Sequence, residues 1–70
     1  MTDTVEYIKR LQAVVDKLHA EGADPVFVVT ALIDVTVAAA KLDRSRTRAA
    51  VYLDDASDAL AVAAHKLREP

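Results

Sequence analysis

Residues 25–42 read PVFVVTALIDVTVAAAKL, and the fold turns on what this stretch can be. At about 100° per residue a helix gathers Thr30, Asp34 and Lys41 into a wedge of roughly 40°. Val26, Phe27, Val28, Val29, Ala31, Leu32, Ile33, Val35, Val37, Ala38, Ala39, Ala40 and Leu42 fill nearly all the rest of the circumference. An ordinary surface helix carries an apolar stripe of only about 100° or a little more. This helix therefore has to be covered from several sides. The β-branched residues of the stretch also suit a strand, but a buried strand needs neighbours to pair with and no other segment reads as one. The stretch is also longer than most strands.

The flanking sequence supplies two more helices. Residues 4–21 repeat Val5, Ile8, Leu11, Val15 and Leu18 at intervals of three and four, with Lys9, Arg10, Asp16 and Lys17 opposite. Asp3 and Glu6 have the spacing of a capping box, with Asp3 as the cap. Gly22 can adopt the left-handed conformation that ends a helix cheaply. Asp24-Pro25 then restarts the chain, Asp24 as N-cap and Pro25 at the first helical position, where its missing N–H costs nothing. A third helix is expected over 46–68. Its Ala49, Leu53, Ala56, Leu60, Ala63 and Leu67 follow 4-3-4-3-4 spacing, a seam of alternating small and large residues.

The joint between the second and third helices is the weakest local signal, since residues 26–69 contain no glycine or proline. Asp43, Ser45 and Thr47 can each cap a helix, yet Arg44, Arg46 and Arg48 would then crowd its positive end. A short polar turn within 43–47 is the expectation; one continuous helix of about 43 residues is the alternative, suited only to an intertwined dimer. The predicted fold is all-α: one domain over residues 1–70, a three-helix up-down-up bundle with helices at 4–21, 25–42 and 46–68 and the apolar helix at its centre. That topology would carry Asp3 and Glu6 towards Lys41 and Arg44, and Glu21 and Asp24 towards Lys66 and Arg68. Such surface pairs add only about 0–1 kcal/mol each.

Seventy residues make a small domain, with a net stability of a few to about 10 kcal/mol. Domains of this size usually need a staple. With no cysteine, neither disulfides nor thiolate metal sites are available, and oligomerisation remains. A homo-oligomer, with a dimer favoured, is the expected state. Its self-association face is either Val28, Leu32, Val35 and Ala39 or the opposite seam of Val29, Ile33, Val37 and Ala40. Val51 and Val62, on the polar side of the third helix, would extend such a surface.

Other chemistry is thin. Lys41, Arg44, Arg46 and Arg48, with Asp43, give residues 41–48 a charge of +3 within a chain of net −2. They could contact phosphates at a turn between helices, or simply pair with acidic groups of this chain or a partner. Asp54 and Asp58 share a helix face, as metal ligands would, but His65 is about 10 Å further along the axis, so an exposed acidic face is the expected reading. His19 sits at the margin of an apolar face with no nucleophile or orienting acid beside it. Tyr7 and Tyr52 should pack at core edges with their hydroxyls in water. No phosphate-cradling loop, zinc motif or triad order occurs, so no enzyme, cofactor or metal is expected.

The mildly acidic composition (pI about 5.5) gives no general nucleic-acid signature. No signal-type segment opens the chain, and Asp34 would cost a membrane span of the second helix about 2.5–3.5 kcal/mol. A cytoplasmic protein without a membrane span is expected. The alanine-, valine-, aspartate- and arginine-rich usage suggests a GC-rich bacterial source. The functional expectation is a helical interaction or regulatory module working through self-association and protein binding, the alternative being a nucleic-acid-associated regulator that uses the 44–48 turn of a dimer.

Overall fold

The computed structural model describes residues 2–69. Within them the chain is entirely helical, with three helices and no strand: α1 (Thr2–Ala20), α2 (Pro25–Ala40) and α3 (Arg46–Arg68). It divides into two compact units, Met1–Leu32 and Ile33–Pro70, with α2 contributing its first half to one and its second half to the other.

In the first unit, α1 begins two residues before the expected start. Asp3 therefore lies inside the first turn and not at the cap, where its charge still suits the positive end of the helix. Glu6 pairs with Arg10 one turn along at 3.2 Å, both well exposed. The end of α1 is a Schellman motif. Gly22 adopts φ +87°, its N–H donates to the His19 carbonyl at 3.0 Å, and the Ala23 N–H reaches back to the Leu18 carbonyl at 3.0 Å. Two residues later α2 starts as the sequence suggests, the Asp24 carboxylate accepting the Val26 N–H at 3.0 Å. Within α2, Thr30 satisfies its hydroxyl on the Val26 carbonyl at 2.8 Å, one turn back.

In the second unit, α2 ends at Ala40, two residues short of expectation, and residues 41–45 form a polar turn. Of the three candidate caps, Ser45 takes the role: it has extended backbone (φ −89°, ψ 112°) and its hydroxyl accepts the Arg48 N–H at 3.2 Å. The chain is not one continuous helix. At the other end of α3, His65, Lys66 and Arg68 sit where the helix dipole favours cations.

Candidate functional site

The apolar surface left open by these helices is the candidate site. Of the described residues only Ala40 is buried. On α2, Val37 and Val28 are half-covered, while Val26, Phe27, Val29, Ile33 and Val35 are exposed, Phe27 to 72%. On α1 the stripe of Val5, Ile8 and Leu11 is likewise exposed, and Val15 is half-buried. The two expected self-association seams are thus covered unequally. In Val28, Leu32, Val35 and Ala39 only Val28 is half-buried, Leu32 being 38% exposed. In Val29, Ile33, Val37 and Ala40 the chain itself already hides Ala40 and half of Val37.

Each unit carries an apolar groove. In the first it measures about 240 Å³ and runs between Val15, Asp16 and His19 of α1 and Val28, Val29 and Leu32 of α2. His19, marginal by sequence, lines this groove. In the second unit the groove is about 430 Å³, with Ile33, Thr36 and Val37 on one wall and Leu53, Ala56, Ser57, Ala59 and Leu60 on the other. Beyond it the α3 seam is bare: Leu60 is 58% and Leu67 86% exposed. Val51 and Val62 are exposed as well.

The basic cluster resolves into two parts. Arg48 is held: its Nη2 donates to the Tyr52 hydroxyl at 2.7 Å, the Tyr52 hydroxyl donates to Asp43 Oδ2 at 2.8 Å, and the Arg48 Nε lies 3.5 Å from the same carboxylate oxygen. The guanidinium also stands 5.7 Å from the Tyr52 ring centre, within cation–π range. Asp43 Oδ1 accepts the Ser45 N–H at 2.8 Å. The Ser45 N–H, then the Tyr52 hydroxyl, hold the Asp43 carboxyl below its ordinary value of 3.8; desolvation opposes them, and the Arg48 charge adds the smallest lowering effect. Tyr52 therefore does not rest with its hydroxyl in water, as its position at a core edge suggests; it bridges an anion and a cation across the turn. Lys41, Arg44 and Arg46 instead line an adjoining hollow of about 630 Å³ with Asp43, Ala49, Ala50 and Leu53.

No family model, curated protein or solved structure matches this chain.

Among the described residues no group of three or more acidic or histidine side chains is arranged to hold a metal ion. His65 turns to Glu69 at 2.9 Å, not towards Asp54 or Asp58. Among the described residues no helix is long and apolar enough to cross a membrane. Two features escape a reading of the sequence. Phe27 beside the polar wedge of α2 is far more exposed than an aromatic in an apolar run suggests. The Asp43–Tyr52 pair spans nine residues, a separation that no local pattern flags.

Proposed function

We propose that this chain is a non-enzymatic helical interaction module that acts by self-association, with further protein partners reading the surface that assembly leaves open. One observation carries the reading: α2 is apolar around most of its circumference, yet of its residues only Ala40 is buried. An isolated helix of 16 residues is marginal in water and draws most of its stability from packing. Exposed valines and phenylalanine over its length supply the driving force for another surface to cover it, at about 25 cal/mol per Å² of apolar area removed from water. A dimer is the simplest closed assembly, and the up-down-up bundle read from the sequence belongs to this same proposal.

Light scattering coupled to size exclusion tests it: a mass of two chains or more is expected at micromolar concentration. A rigid monomer at millimolar concentration would overturn the reading. The alternative, a regulator gripping phosphates through Lys41, Arg44 and Arg46, requires salt-sensitive retention on heparin or duplex DNA; the interaction module does not.

A further inference from the structure

The α3 seam is complementary to its own reverse. Ala49, Ala56 and Ala63 occupy one set of seam positions and Leu53, Leu60 and Leu67 the other. Run a second α3 antiparallel, with the crossover level at Asp58, and Ala49 faces Leu67, Leu53 faces Ala63, and Ala56 faces Leu60. Every layer then holds one alanine and one leucine, so the two axes keep one close separation throughout. Run parallel, the same helices stack alanine on alanine and leucine on leucine. No single separation within the usual range of about 8–10 Å fills both kinds of layer. Two close-packed rods choose the arrangement without voids.

Two further observations point to a second copy as the occupant. The C-terminal half of the seam is bare, Leu60 at 58% and Leu67 at 86% exposure, while Ala49, Leu53 and Ala56 are half-buried. Leu53, Ala56 and Leu60 form one lip of the 430 Å³ apolar groove, so a helix laid on the seam also meets Ile33 and Val37 on the other lip. The flanks raise no electrostatic objection, since Ala50, Ser57 and Ala64 border the seam on one side and Tyr52, Ala59 and Lys66 on the other.

We propose that two copies of this chain pair through α3, antiparallel about a twofold axis that crosses the seam between Ala56 and Leu60, at the axial level of Asp58, with each alanine of one seam facing a leucine of the other and the partner helix seated along the α2–α3 groove. The inference rests on the self-association proposed above and adds the element, the direction and the register.

The test uses the full chain, which has no native cysteine to mask a label. Val51, Asp58 and His65 share one exposed face of α3 at seven-residue intervals, away from the seam. Nitroxide labels on Val51→Cys, Asp58→Cys and His65→Cys, one at a time, report distances between copies by pulsed electron resonance. The antiparallel register gives the shortest distance at 58 and equal, longer ones at 51 and 65, each with an axial offset of about 21 Å. Equal distances at all three positions mean parallel pairing, and a steady rise or fall from 51 to 65 means pairing through another element. Either result overturns this inference and leaves self-association standing. No dipolar signal, with a single-chain mass by light scattering, overturns both. Ala59→Cys supplies a second reading on a milder change: a short bis-maleimide should cross-link two chains, because antiparallel pairing brings the two copies of position 59 to the same flank. Failure to cross-link an assembly that light scattering shows to be dimeric counts against the register.

Discussion

Asp43 does the work of a helix cap from outside the helix. Arg46 and Arg48 stand in the first turn of α3, where the dipole disfavours cations, and the sequence offers no reason to tolerate them. The structure supplies one: the Asp43 carboxylate takes the Ser45 N–H, the Tyr52 hydroxyl and the Arg48 charge together, an anion placed at the positive end. Its carboxyl sits below the usual 3.8, chiefly through the Ser45 N–H. A folded-state value below the unfolded one means that this stabilisation is complete above the unfolded value. It is lost as pH falls through the folded one. Wild-type chain should therefore lose part of its urea resistance as pH falls below the ordinary carboxylate value of 3.8. Asp43→Asn should be less stable than wild type at pH 7, with the gap narrower at pH 3, as followed by helical circular dichroism. A constant gap between the two proteins at both pH values would show that the carboxylate charge contributes nothing. Asp43 and Tyr52 are nine residues apart, so this contact depends on α3 folding back over the turn and was invisible to local patterns, which left Asp43, Ser45 and Thr47 as equal candidates.

The helices themselves were largely readable, because their punctuation is local. Gly22 and Asp24-Pro25 act within a few residues of where they stand, and α1 closes and α2 opens where they direct. The start of α1 and the end of α2 were placed less well. The capping-box spacing of Asp3 and Glu6 did not capture the helix beginning at Thr2. At the other end, Lys41 and Leu42 continue the pattern of α2 although the helix stops at Ala40. Gly22 gives the sharpest test at this scale. A Cβ built there meets nothing within 4 Å, so any cost of Gly22→Ala comes from the backbone alone at φ +87°. Holding alanine in that left-handed geometry should cost about 1–2 kcal/mol, read as a drop in the urea midpoint with the unfolding slope unchanged. A midpoint equal to wild type would mean that the Schellman turn adds nothing to the fold. A loss well above that range would point to a contact at Gly22 formed only between chains.

For the molecule as a whole, the apolar character of residues 25–42 marks α2 as a helix to be covered from several sides, and Phe27, Val29, Ile33 and Val35 lie exposed on it. What the pattern of α2 did not show is which face is spent internally. Ala40 and Val37 are covered within their own unit, whereas Leu60 and Leu67 on α3 are not. The seams on α2 and the seam on α3 are thus two rival surfaces for pairing between copies. Leu60→Glu separates the two. In a single chain, position 60 is 58% exposed, so a glutamate there can keep its charge in water and the helical signal should survive. In the antiparallel pair the same carboxylate would sit against Ala56 of the other copy without a counter-ion. Burying it unpaired should weaken association by roughly 100-fold or more, a shift of about 3 kcal/mol or above. Sedimentation equilibrium of Leu60→Glu beside Val35→Glu decides between the helices. The α3 pairing predicts dissociation for the first and near-wild-type mass for the second. If Val35→Glu alone yields monomers, α2 holds the copies together and α3 merely lines the outside.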